Sequence, residues 1–150
     1  MSTRCTINFF YNRPTSRPVA KIYRHCDGYP EGTHGVIADL ARFFAAVTAQ
    51  CGGDTRFSDP SYLAAKFVVW QASQNADAEL PLKFISLGVC REDAMDLEYN
   101  YAVCCSNDNL CTLHFSAIPL LEPRVLYRRY GQKTWKVFKS NPRRPAGAGA

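Results

Sequence analysis

Ten residues, Tyr23 to Gly32, read Tyr-Arg-His-Cys-Asp-Gly-Tyr-Pro-Glu-Gly and bring together a cation, an imidazole, a thiol, two carboxylates and two tyrosines. Several chemistries could use them. His25 with Asp27 makes a general acid/base pair if the carboxylate orients the ring, and His25 with Glu98 makes another if a later strand lies beside this loop. Arg24, His25, Asp27 and Tyr29, set next to the first free N–H groups of a following helix, make an anion site for a phosphate or nucleotide. Cys26 as a nucleophile would need His34 or His114 at hand, because adjacent side chains on an extended segment, such as His25 and Cys26, point apart. A largely architectural use is favoured over a catalytic one: Asp27 bonds backbone amides, Arg24 pairs with Glu31, and the tyrosines pack. Asp-Gly followed by Pro is turn chemistry in its own right.

A second cluster lies at the other end of the chain. From Arg124 onward there are eight basic residues and no acidic one, whereas the preceding residues carry ten bases against thirteen acids, so all of the formal charge of +5 is C-terminal. Arg124, Arg128, Arg129, Lys136 and Lys139 alternate with Tyr127, Tyr130, Trp135 and Phe138. Cations and stackable rings on one ribbon suit nucleic-acid contact. They also suit a solvated edge hairpin kept apart from its neighbours by charge, or an acidic protein partner.

Tyr23-Arg24-His25-x-Asp27-Gly28-Tyr29-Pro30 after a short strand resembles the signature of a broad group of small bacterial proteins of uncharacterised activity, often associated with phages and other mobile elements. Asp96-Leu97-Glu98-Tyr99-Asn100-Tyr101 is similar to that group's second feature, an acidic and tyrosine-rich strand start. The resemblance runs from Val19 to Val103, with specific matching in those two patches. Position 26, where many members have Trp, is Cys here. The resemblance implies phage or mobile-element origin and, by analogy, a binding or inhibitory role against a host protein or nucleoprotein complex, counter-defence being one form. It implies no reaction.

The elements that must position these residues follow from periodicity. Cys5–Tyr11 reads as a strand covered on both sides, and Val19–Arg24 as its hairpin partner across a Pro-containing loop. Val36, Ile37, Leu40, Phe43, Phe44 and Val47 recur at helical spacing over 35–50, with Thr33 as the expected N-cap and Cys51-Gly52-Gly53 as the stop. Asp59-Pro60 opens a second helix, with Leu63, Phe67 and Trp70 on one face. Lys83–Val89 reads as a strand. Leu97–Cys105 is expected to pair with Leu110–Ser116 through a Ser-Asn-Asp-Asn turn, and 124–130 with 133–139 about Gly131-Gln132. The expected fold is α+β: a mostly antiparallel sheet of five to seven strands with two helices packed on one face, forming a single domain over 1–140 and a disordered Pro/Gly/Ala tail over 141–150.

Function classes narrow further by what is missing from the sequence. There is no Walker loop, dinucleotide-binding glycine pattern or nucleophile elbow, so no cofactor is expected. The seven cysteines are odd in number, lack any Cys-x-x-Cys pair and follow no secretory leader, which favours reduced thiols. His25, Cys26, His34 and His114 with Cys104 or Cys105 do not have familiar metal-site spacing, and no metal is expected. No apolar run approaches a membrane span, so the expected setting is cytoplasmic. The favoured reading is therefore a non-catalytic binding protein that meets an acidic host protein or nucleoprotein complex, or nucleic acid, through Arg124, Tyr127, Arg128, Arg129, Trp135, Lys136 and Lys139. The alternative is a phosphate- or nucleotide-binding protein or enzyme built on the Tyr23–Gly32 loop.

Overall fold

The computed structural model describes residues 2–74, 86–106 and 122–138. Along the chain these form β1 (Cys5–Tyr11), β2 (Ala20–Arg24), α1 (Val36–Cys51), α2 (Pro60–Ser73), β3 (Leu87–Val89), β4 (Tyr99–Cys105), β5 (Arg124–Arg129) and β6 (Lys136–Val137). The fold is α+β, with both helices packed against one face of a mixed six-stranded sheet of order β3-β2-β1-β4-β5-β6.

β1 sits inside the sheet because both of its faces are apolar or internally bonded, and six of its seven residues are buried. Its antiparallel partner is β2, as the short Pro-containing connection dictates, with Ile7 opposite Ile22. Its other neighbour is β4, in parallel, with Cys5 opposite Tyr99 and Tyr11 opposite Cys105. Parallel neighbours require a long crossover, and here both helices lie within it. The remaining pairings are antiparallel, so the sheet is mixed rather than uniformly hairpin-built.

That central parallel pair corrects one expectation. β4 was expected to fold back on Leu110–Ser116, but its two edges are already taken, by β1 along seven residues and by β5 along six. Leu110–Ser116 lies outside the described residues, as do the first residues of the Lys83–Val89 strand, Lys139 and the 141–150 tail. The expected hairpin about Gly131 is present as β5–β6, with Tyr127 opposite Lys136 and Gly131 at φ 83°. Only glycine takes that backbone region without a Cβ penalty.

The core lies between the helices and the sheet. Cys5, Ile7, Phe9, Ile22, Tyr101, Val103 and Cys105 meet Leu40, Phe43, Phe44 and Val47 of α1 and Leu63 and Phe67 of α2. Phe43 meets Phe67 edge-on at 5.2 Å, and Phe44 meets Phe57 edge-on at 5.8 Å, the geometry ring quadrupoles favour. α2 starts as its sequence predicts, Asp59 Oδ1 accepting from the N–H groups of Ser61 and Tyr62 ahead of Pro60. α1 does not. Its N-cap is Gly35, without a side-chain cap, and Thr33 instead offers its carbonyl to Arg42 Nη2 at 2.7 Å. The physical reason is space: a Cβ on Gly35 would stand 2.4 Å from the Glu31 carbonyl oxygen, so only glycine lets the chain turn into the helix there.

The opposite face of the sheet is also buried, through Phe10, Ala102, Cys104 and Leu126, with Trp135 packed against them. Its polar members are satisfied among themselves. Thr6 Oγ1 donates to Asn100 Oδ1 at 2.5 Å, and Asn8 Nδ2 donates to Thr6 Oγ1 and to the Tyr101 carbonyl.

Candidate functional site

In strands, successive side chains alternate between faces, so register determines which residues share a surface. Tyr99 pairs with Arg129, Tyr101 with Tyr127, and Tyr127 with Lys136. These five side chains therefore stand on the helix-bearing face, at the β4–β5–β6 end of the sheet. Tyr99 and Tyr127 pack on one side against the core, and among the described residues no helix residue lines the cleft beside them. With Arg129 and Lys136 they floor this cleft of about 680 Å³, whose wall is Tyr29-Pro30-Glu31 from the loop after β2, with Gln132 of the β5–β6 turn at its rim. The volume falls within the range of small-ligand pockets.

The wall is held by backbone. Gly28 N–H donates to the Thr3 carbonyl at 2.9 Å, and the Gly28 carbonyl accepts from Tyr101 Oη at 2.8 Å. The Tyr29 carbonyl accepts from Val36 N–H at the start of α1. A Cβ at Gly28 would stand 2.8 Å from the Thr3 oxygen and 3.0 Å from Cys5 Cβ, so the glycine is required for close approach. The left-handed residue of this turn is Asp27, at φ 54°. Tyr101, fully buried, thus links loop to floor: its ring stacks on Tyr127 at 6.2 Å and lies 6.4 Å from Tyr99. Burial keeps its hydroxyl protonated far above the ordinary phenol range, so Tyr101 acts as a donor.

The cations of the cleft are uncommitted. Arg129 lies 5.8 Å from the Tyr99 ring centroid and Lys136 6.0 Å from that of Tyr127, both near the outer limit of cation–π range. Both are exposed, and among the described residues neither forms an ion pair with a carboxylate. Glu31, also exposed, pairs with neither. Rings able to stack on a planar group and cations able to meet an anion thus converge from three segments distant in sequence.

Arg24 is in the opposite condition. Only 6% exposed, it donates from Nη1 to Asp39 Oδ2 at 2.5 Å, from Nε to the Cys26 carbonyl at 2.8 Å and from Nη2 to the His34 carbonyl at 3.3 Å. Arg42 completes the cluster by donating to Asp39 Oδ1. Asp39, rather than Glu31, is the partner of Arg24, because α1 presents it directly over the end of β2. Arg24, Asp27, His34, Asp39 and Arg42 border a second cavity of about 370 Å³, separate from the tyrosine cleft.

The other residues of the loop also disperse. His25 is exposed, its Nδ1 3.1 Å from Tyr23 Oη, and its backbone N–H donates to the Ser86 carbonyl. Among the described residues its ring meets Tyr23 and forms an ion pair with neither the Asp27 nor the Glu98 carboxylate. The acid/base pairs are therefore not formed. Cys26 Sγ lies 3.6 Å from Ser2 Oγ, with no histidine ring bonded to it, and His114 lies outside the described residues. Among the described residues no three His, Cys, Asp or Glu side chains converge on a common point for a metal. Cys5 and Cys105 are fully buried, and burial pushes both thiols up to about 12.

No protein-family model, curated protein or solved structure matches this chain. The phage, mobile-element and host-defence assignment drawn from the two short patches is accordingly withdrawn. With no family match behind it, a shared eight-residue pattern reduces to what it does here, a turn that locks β2 to α1. Among the described residues no helix is long and apolar enough to cross a membrane.

The basic ribbon divides between faces, as its two-residue period requires. Tyr127, Arg129 and Lys136 face the cleft. Arg128 and Trp135 face the far side of the sheet, the guanidinium 4.2 Å over the indole. Arg124, at the start of β5, donates from Nη2 to the Asn12 carbonyl at 3.2 Å. Tyr99, Glu31 and Gln132 were not singled out as ligand-site residues by sequence reasoning. The signal for Tyr99 was its alternation with Tyr101, while Glu31 and Gln132 carried none, since both sit in turns.

Proposed function

We propose that this protein binds a nucleotide unit, a planar base carrying a phosphate, in the cleft between the Tyr29–Glu31 loop and the β4–β5–β6 ribbon. One observation carries the reading: three tyrosines, Tyr29, Tyr99 and Tyr127, share one concave surface with two cations that have no carboxylate partner among the described residues. Stacking a base on an aromatic side chain contributes about 1–3 kcal/mol and tolerates any base. Arg129 and Lys136 then meet the phosphate, with Arg offering a bidentate fork and Lys a point charge. The two functional stretches of the sequence thereby act as one, the loop supplying Tyr29 and the ribbon supplying the cations. The phosphate is not held by Arg24, which already neutralises Asp39.

An acidic protein surface would meet the same cations but would leave the rings without a role. Titration with mononucleotides and with short single-stranded oligonucleotides, read by intrinsic fluorescence at two salt concentrations, separates the two. The expected result is saturable binding that weakens with salt, weakens further in Arg129→Ala and Lys136→Ala, and loses part of its strength in Tyr127→Ala. Absence of binding at millimolar nucleotide, or binding indifferent to Arg129→Ala and Lys136→Ala together, overturns the reading.

A further inference from the structure

We infer that the cleft selects guanine, and that Glu31 is the residue that selects it; this rests on the nucleotide reading above. The cleft is not uniformly cationic. Its floor bears Arg129 and Lys136, whereas its wall bears Glu31, and no ion pair joins Glu31 to either cation. A carboxylate that faces a ligand without being neutralised by its neighbours has two effects. It repels a phosphate, so the phosphate goes to the Arg129–Lys136 side and the ligand has one orientation. It also accepts hydrogen bonds only, so the part of the ligand that faces it must donate.

Among the standard bases, one edge answers that demand. Guanine presents N1–H and N2–H₂ side by side, two adjacent donors that match the two oxygens of a carboxylate. Adenine and cytosine each set one amino group beside a ring-nitrogen acceptor, and uracil sets its N–H between two carbonyl oxygens. Each of these places a lone pair against Glu31. On that same edge the acceptor O6 lies next to N1, and the Gln132 amide at the rim of the cleft is a neutral donor for it. Stacking on the tyrosines is indifferent to the base, so selectivity has to come from this edge. Base-edge contacts of this bidentate kind discriminate by about tenfold or more.

The backbone that carries Glu31 is restrained. Glu31 follows Pro30, whose ring fixes one backbone torsion, and the Tyr29 carbonyl before it is tied to Val36 N–H at 2.9 Å. The Glu31 side chain is exposed and makes no hydrogen bond or ion pair with another described residue, so replacing it is expected to leave stability close to that of wild type.

The test is calorimetric titration of the full chain with GMP, IMP, AMP, CMP and UMP, for wild type and Glu31→Gln, with Arg129→Ala as a second variant. Wild type is expected to bind GMP at least tenfold tighter than AMP, with IMP, which lacks the 2-amino group, in between. Glu31→Gln is expected to abolish the preference for GMP over AMP, because an amide offers adenine a donor as well as an acceptor. Arg129→Ala is expected to weaken every nucleotide alike. Equal binding of GMP and AMP that still depends on Arg129 overturns guanine selection and leaves the nucleotide reading standing. A guanine preference that survives Glu31→Gln overturns the role of Glu31. If no nucleotide binds, both readings fall. Running the same titration with a guanine-containing single strand distinguishes a free nucleotide from a strand as the source of the base.

Discussion

Arg24 and Arg129 differ in nearly every respect that governs what a guanidinium can do. Arg24 belongs to a stretch crowded with reactive residue types, yet it is buried, paired with Asp39 and bonded to two carbonyls. Arg129 belongs to a plain basic ribbon, yet it stands exposed near Tyr99 beside a cleft, with no carboxylate paired to it among the described residues. The lesson is that chemical density along a chain and chemical availability in space are separate quantities. A buried charge must be satisfied by the fold, and once satisfied it is committed. The Tyr23–Gly32 loop therefore acts as a lock that sets Tyr29 and Glu31 in place, whereas on the ribbon across from it Arg129 and Lys136 have no carboxylate partner among the described residues.

The sharpest way to break this comparison is alkaline pH. Cys5, opposite Arg24 in the sheet, and Cys105 are held up to about 12 by burial, against an ordinary 9.0. Between those values the unfolded chain loses protons that the folded chain keeps. The stability these thiols contribute is thus complete below pH 9 and falls as pH rises towards 12, by up to about 1.4 kcal/mol per pH unit for each thiol. Urea unfolding from pH 8 to 10.5 should show that decline, and Cys5→Ala should make it shallower. An unchanged slope in Cys5→Ala would place the titration elsewhere.

Next in size is Asp39→Ala, which leaves Arg24 buried without its carboxylate. It should cost about 3–5 kcal/mol in urea unfolding. Arg129→Ala should stay within about 0.5 kcal/mol of wild type, as exposed positions do. Similar costs for the two would erase the distinction between lock and cleft. Gly28→Ala comes third, at about 2 kcal/mol, because the added methyl meets the Thr3 carbonyl and the start of β1, where the backbone cannot yield. Ligand binding should weaken with it, since Tyr29 is displaced. Smallest is Asp27→Gly. Asp27 is exposed and left-handed, so glycine there should stabilise by about 0.5–1 kcal/mol, the reverse of what a buried capping carboxylate would show.

Much of this architecture is legible in short-range pattern. Asp59-Pro60 announces the start of α2 because an N-cap acceptor and a residue lacking N–H suit the first turn whatever lies beyond it. Alternation in 97–105 separates Tyr99, Tyr101 and Val103 from Asn100 and Cys104 because strand side chains obey a period of two regardless of partner. Gly131 marks its turn through its own torsion preference. What short-range pattern left open was partnership. β4 has edges that serve a hairpin or a parallel neighbour equally well, and only the long crossover through both helices placed β1 there. Arg24 had Glu31 seven residues away and Asp39 fifteen residues away, and the docking of α1 over β2, which depends on core packing between remote residues, brought Asp39 within reach. The cleft is the furthest consequence of the same kind. Its wall, floor and rim come from residues 29–31, 99 and 127–136, and their meeting depends on strand order, which hydrogen bonding between distant segments decides and no local run of residues encodes.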